Sequence, residues 1–368
     1  MTKRVSYIKA SIIRKIFDKA AGLKDVINLS IGQPDLPVQN QIKQALIKAI
    51  KNDQTGYTPS AGIPALQEKI LKRYSGLVFA EKTIITSGVS GGIFLTYASI
   101  LEEGDELLVL SPYFVMYPDL ASFMNIRPVI VESNSDFSPN FSEIEKAITK
   151  KTKAIIINSP NNPTGYVLNE SELKKFAKIA RQHNLWIISD EVYESFDYDK
   201  KFETMGKYYD KTIVLNGYSK SLALTGLRIG YAVGPKFIID EMIKLQQYTY
   251  VCAPSIAQYA VSSTIGLIKN QSTIQLFKKR RDYVFKELSR VVEIQKPAGA
   301  FYFLIPLPKG VSSETFAEKC LEQKLLVVPG IAFTKPGSKQ EYIRISYAVD
   351  NKTLKAGITI IKSLLNQY

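Results

Sequence analysis

Five short stretches place chemically capable side chains just beyond apolar runs. Lys220 follows TIVLNGYS, with Arg228 eight positions later in GYSKSLALTGLRIGY. Asp190 and Tyr193 follow LWIIS, Asn162 and Pro163 follow AIIIN, and Phe114 follows LLVLSPY. The serine- and glycine-rich turn at 87–92, SGVSGG, follows TIIT. Taken singly, each has an ordinary structural explanation. Asn before Pro favours a turn, an aspartate can cap the next segment, glycines allow close packing, and a lysine is usually solvated. Together they are more informative, because ligands of an open parallel sheet bind in the crevice beyond the carboxyl ends of its strands.

One chemistry uses all five stretches. A desolvated lysine amine forms a Schiff base with an aldehyde, and pyridoxal 5'-phosphate needs such a lysine together with an acid against its pyridine nitrogen. Asp190 would keep that nitrogen protonated, Tyr193 and Asn162 would hydrogen-bond the ring's phenolic oxygen, and Phe114 would lie on the ring face. The phosphate would sit on the backbone N–H groups of Gly88, Val89 and Ser90, where a helix N-terminus favours an anion. Arg228 would be its charged partner, and Ser219 offers a hydroxyl beside it.

The elements that must position these residues follow from periodicity. Between residues 80 and 235, the runs KTIITS, ELLVLS, KAIIIN, LWIISD, KTIVLNG and LRIGYAVG alternate with amphipathic stretches. Short apolar runs separated by helix-period segments predict an α/β core whose mainly parallel sheet is covered on both faces. In NESELKKFAKIARQ, Leu173, Phe176, Ala177 and Ala180 recur at helical spacing, and Asn169 or Ser171 offers the N-cap oxygen. That helix is expected to join two parallel strands. From about residue 235 the segments become longer and helical, and AFYFLIPL, KLLVVPG and YIRISYAV then read as strands. The expected organisation is a large domain at 41–270 and a smaller α+β domain built from both termini, 1–40 and 271–368.

Composition excludes several classes. The chain is 45% hydrophobic and 22% charged, as in a globular protein. It contains no apolar run of membrane-spanning length, and its basic N-terminus lacks the apolar region of a secretory signal. Two cysteines build no disulfide framework, which points to a reducing, cytoplasmic setting. A net charge of +14 raises nucleic acid as a partner, but the lysines are spread along helices rather than gathered with aromatics, so none is expected. His183 is the one histidine, so neither a histidine metal site nor a Ser-His-Asp triad can be assembled. Acid-base work must fall on another residue type.

SPNNPTG, SDEVY, GYSK followed by TGLRIGY, and YIRISYA occur in that order and at these spacings. They resemble the fold-type I pyridoxal-phosphate aminotransferases of class I/II. SIIRKIFDKAAGLKDVINLSIGQPDLP and GYTPSAGIPALQEKI are similar to N-terminal segments of that family's prokaryotic aspartate and aromatic aminotransferase branch, so the resemblance covers nearly the whole chain. It implies a seven-stranded sheet, with Lys220 as both anchor for the cofactor and carrier of the substrate Cα proton. It implies that Arg344 in YIRISYA grips the substrate α-carboxylate by a two-pronged ion pair, and that the Gly32 backbone approaches the same group. Asn162 and Phe114 would also face the substrate. It implies a homodimer in which Tyr57 reaches the phosphate in the neighbouring active site, with QYTYVCAPS near the interface.

The chain departs from the family's pattern at two positions. Gly217 stands where some members carry a phosphate-binding hydroxyl, and Ser90 stands where aspartate-specific members carry a lysine. The expected activity is exchange of an amino group between an L-amino acid, either aspartate or an aromatic or broader range, and a 2-oxo acid such as 2-oxoglutarate. A carbon-sulfur β-lyase is the alternative on the same scaffold. A non-catalytic regulator fits poorly with an intact catalytic set.

Overall fold

A computed structural model describes residues 24–267 and 271–368. The first 23 residues of the expected 1–40 segment lie outside it, as do residues 268–270 beside the expected domain boundary. The central element is a seven-stranded sheet of β2 (Lys82–Ser87), β3 (Glu106–Ser111), β4 (Arg127–Glu132), β5 (Thr152–Asn158), β6 (Trp186–Asp190), β7 (Thr212–Gly217) and β8 (Ile229–Gly234). Its spatial order is β2-β8-β7-β6-β5-β3-β4, and only β8 runs against its neighbours. The carboxyl ends of β2 to β7 therefore share one edge.

Three of these strands, β5, β6 and β7, are apolar runs buried along nearly their whole length, as a sheet covered on both faces requires. The helix Glu170–Gln182 joins β5 to β6, and those strands are parallel as expected. Its N-cap is Asn169, whose side chain accepts from Glu172 N while Glu172 reaches back to the Asn169 N–H, a capping box. Six of the seven strands coincide with the apolar runs in the sequence. The seventh, β4, is an edge strand that is mostly half-buried and carries Pro128, so its apolar signal is diluted.

A smaller antiparallel sheet orders β9 (Tyr302–Pro306), β12 (Tyr342–Ser346) and β11 (Val328–Pro329) as β11-β12-β9. KLLVVPG, expected to be one strand, divides. Leu325–Leu326 (β10) pairs in parallel with Ile27–Asn28 (β1), whereas β11 pairs with β12. Leu29 is fully buried in the same core as Phe301, Phe316 and Ile358, so a segment near the N-terminus packs within the C-terminal layer. The helices Lys236–Thr249 and Ser255–Thr264 pack instead on the large sheet side, against Gly88–Ile100 and Asn40–Lys51. Among the described residues no helix is long and apolar enough to cross a membrane. Cys252 and Cys320 are free thiols.

Candidate active site

Strand register brings the polar residues together. Asn158, the last residue of β5, lies beside Asp190, the last residue of β6. The Asn158 amide spans the two strand ends. Its Nδ2 donates to the Asp190 carbonyl at 2.9 Å, and its Oδ1 accepts from Asn162 N at 2.8 Å. Gly217 ends β7 opposite Gly230, where a Cβ on Gly217 would lie 2.9 Å from the Gly230 Cα. That close approach requires glycine and leads into the single helical turn Tyr218–Ser221, which carries Ser219 and Lys220.

These ends surround a cavity of about 410 Å³. Lys220, Asp190, Tyr193, Asn162, Phe114 and Arg228 all line it, as do Val89, Ser90, Ser219, Arg344 and Gly32. Two candidates lie elsewhere. Gly88 does not line the cavity but abuts the Arg228 guanidinium, since a Cβ there would meet Arg228 Nη2 at 2.6 Å. Tyr57 is 87% exposed and away from the cavity of its own chain.

Lys220 Nζ donates to the Gly32 carbonyl at 2.5 Å. Burial, and then the nearby Arg344 and Arg228, lower its pKa to about 8, with Asp190 opposing them. Roughly a tenth of the amine is thus unprotonated at pH 7, far more than at the ordinary lysine value. Asp190 is buried, and its Oδ2 accepts from Tyr117 Oη at 2.7 Å while its Oδ1 accepts from Val192 N at 3.2 Å. Burial raises its carboxyl to about 6, against the pull of those bonds and of Lys220.

Arg344, in the middle of β12, is held between the Tyr302 and Phe333 rings, 4.6 and 4.7 Å from their centroids. Its Nη1 donates to Asn162 Oδ1 at 3.0 Å and its Nη2 to the Ser30 carbonyl at 2.6 Å. Its buried Nε has no partner among the described residues. Burial pushes its pKa below the ordinary arginine value, so an anion arriving here meets a desolvated and incompletely satisfied cation. Tyr193 Oη shares a hydrogen bond with Tyr302 Oη at 2.9 Å. Tyr302 also explains Gly32, since a Cβ there would fall 1.9 Å from the phenol oxygen.

Tyr117, Tyr302, Ser30 and Asn158 are polar members of the site that the motifs do not single out. A signal existed for three of them. Tyr117 falls one helical turn after Phe114, Tyr302 alternates with the core residues Phe301 and Phe303, and Asn158 ends an apolar run. Ser30 takes part through its backbone, which its residue type does not reveal.

The residues fit pyridoxal phosphate. The cavity volume is within the roughly 300–1,000 Å³ usual for cofactor sites. An amine whose pKa is lowered by burial, a buried carboxyl, an aromatic and an arginine beside a helix N-terminus all face it. No group of three or more histidine, cysteine or acidic side chains among the described residues could hold a metal ion.

The sequence profile described as "Aminotransferase class I and II" matches residues 24–361. The chain is 37% identical to the probable aspartate aminotransferase of Methanocaldococcus jannaschii over 99% of both chains. It is 35% identical to aromatic-amino-acid aminotransferase 2 of Thermococcus litoralis, over 100% of this chain and 98% of that one. The solved structure of the aspartate aminotransferase from Thermus thermophilus with maleate superposes with a TM-score of 0.93 at 32% identity, covering 99% of both chains. With its profile match, its full-length relatives and its fold in agreement, the chain belongs to the class I and II aminotransferases.

Proposed function

We propose that the chain exchanges an amino group between an L-amino acid and a 2-oxo acid such as 2-oxoglutarate, with pyridoxal 5'-phosphate as cofactor. The observation that carries this reading is the convergence of Lys220, Asp190 and Arg344 on one cavity, with the lysine pKa lowered to about 8. When bound, the cofactor supplies an aldehyde to which an amine can attach and a ring that accepts electrons. Arg228, the N–H groups opening the helix Gly88–Ile100, Ser90 and Ser219 would hold its phosphate. Phe114 would hold the plane of the ring, Tyr193 and Asn162 would bond its phenolic oxygen, and Asp190 would keep a proton on its nitrogen.

Arg344 binds and orients the substrate α-carboxylate through its planar fork. Lys220 Nζ, once free of the cofactor, takes the proton from the substrate Cα. Relatives named for aspartate and for aromatic amino acids occur at nearly equal identity, and either donor class is compatible with this machinery. The division into 41–270 and a smaller domain of 1–40 and 271–368 is part of the same reading, supported by the pairing of β1 with β10. So are a cytoplasmic location and a homodimer in which the exposed Tyr57 reaches the neighbouring site.

A panel of amino donors and 2-oxo acids on the purified protein, with Lys220→Ala as control, tests the reaction. New amino acid formed from the acceptor supports transfer. Release of ammonia and pyruvate without it would assign the β-lyase reaction instead. Stable, fully active monomers in gel filtration would remove the role given to Tyr57.

A further inference from the structure

The helix Met116–Phe123 begins two residues after Phe114 and places Tyr117 against the end of β6, 73 residues further along the chain. The Tyr117 hydroxyl donates to Asp190 Oδ2 at 2.7 Å, and the Tyr117 ring packs edge-on against Phe114 with centroids 5.6 Å apart. Among the described residues each Asp190 oxygen thus has a single donor, one from Tyr117 and one from the Val192 amide. Both Tyr117 and Asp190 border the cavity while remaining buried, so solvent contributes little to holding the carboxylate charge.

On the reading that this site performs amino transfer, we propose that Tyr117 is a positioning residue, whose hydroxyl fixes the rotamer of Asp190 and holds its carboxyl in the charged form. A phenol bonding to a buried carboxylate strengthens in low dielectric, and it stabilises the ionised acid over the neutral one. Tyr117 remains a donor throughout the working pH range, because burial and Asp190 raise its own pKa far above the ordinary phenol value. The titratable groups around the pair are Tyr97 from the helix Gly88–Ile100, Tyr193 after β6 and Lys220 after β7. Of these only Lys220 is a cation, and its influence on Asp190 ranks below that of the Tyr117 hydrogen bond. Tyr97 Oη donates to the Tyr117 carbonyl at 3.4 Å, which ties the helix start rather than the carboxyl.

The test is Tyr117→Phe, which keeps the ring against Phe114 and removes only the hydroxyl. Three readouts are compared with wild type: the Asp190 titration followed by NMR in ¹³C-aspartate-labelled protein, cofactor affinity, and the acid limb of the kcat/KM profile. The expected results are a carboxyl titration and an acid limb both moved up by about one pH unit, cofactor bound several-fold more weakly, and, at saturating cofactor, kcat/KM reduced about twofold near pH 7 and close to tenfold near pH 5. In an Asp190→Asn background the same change should alter cofactor affinity little, because the effect runs through Asp190. An unmoved carboxyl titration, or an equal loss of cofactor affinity with and without Asp190, would overturn the inference and leave a packing role. A wild type inactive with every donor would overturn the functional reading instead, while the NMR titration would still decide the role of Tyr117.

Discussion

The two edges of the seven-stranded sheet both carry lysines, aromatics and acids, yet they differ in chemistry. At the amino ends of β3, β5, β6 and β7 lies an open groove of about 980 Å³ bordered by Lys150, Lys153, Lys211, Trp186 and Phe237. At the carboxyl ends lies the cavity of about 410 Å³ around Lys220. The groove is larger and has more lysines, but Lys150 and Lys153 stand in solvent, and Lys211 donates to the Asn184 carbonyl at 2.7 Å while lying over the Trp186 ring. In the smaller cavity Lys220 faces two arginines and a buried carboxyl. Reactivity follows desolvation and the placement of neighbouring charge rather than volume or the number of basic groups.

Breaking the carboxyl-end side of this comparison should have the largest effect. Lys220→Ala should lower turnover by about three orders of magnitude or more, measured in the donor and acceptor assay. Arg344→Lys keeps the charge and loses the planar fork. It should reduce kcat/KM by an amount corresponding to about 2–4 kcal/mol, and an unchanged value would move the carboxylate site elsewhere.

Glu191, the neighbour of Asp190, gives a stability test of the same principle. Its carboxyl is buried, with Oε1 accepting from Ser189, Thr204 and the Met205 amide and Oε2 without a partner among the described residues. Burial, then Glu194, raises its pKa from 4.5 to about 8. The folded chain therefore binds more protons than the unfolded chain between those values, and this group's contribution to stability falls as pH rises through that window. Glu191→Gln removes that loss. Above pH 8 the variant should be more stable than wild type, by roughly 2–4 kcal/mol in denaturant titrations. At pH 5 the two should be close, and an equal offset at both pH values would contradict the assignment.

The smallest effect should come from the amino-end edge. Lys211→Ala should leave kcat/KM within about twofold of wild type, and a large loss would mean that the comparison misplaces the chemistry.

The carboxyl-end residues were legible because strand periodicity and the crevice rule act on local sequence. Lys220, Asp190, Asn162 and Phe114 each follow an apolar run that forms a buried strand, and the family motifs then assign roles to Arg344 and Gly32. What escaped were contacts between elements distant in the chain. Tyr117 meets Asp190 across 73 residues and Tyr302 meets Tyr193 across 109, and neither pairing has a local signature. The split of KLLVVPG into β10 and β11 had the same cause, since a strand's partners are chosen in three dimensions. The β4 edge strand lacked the fully buried pattern that marks the central strands.

The central claim is that Lys220 is the amine of the site. Borohydride reduction of the protein loaded with pyridoxal phosphate, followed by proteolysis and mass spectrometry, tests it most directly. A pyridoxyl group on Lys220, absent in Lys220→Ala, is the predicted result. A label on Lys211 or any other lysine, with Lys220 unmodified, would contradict it.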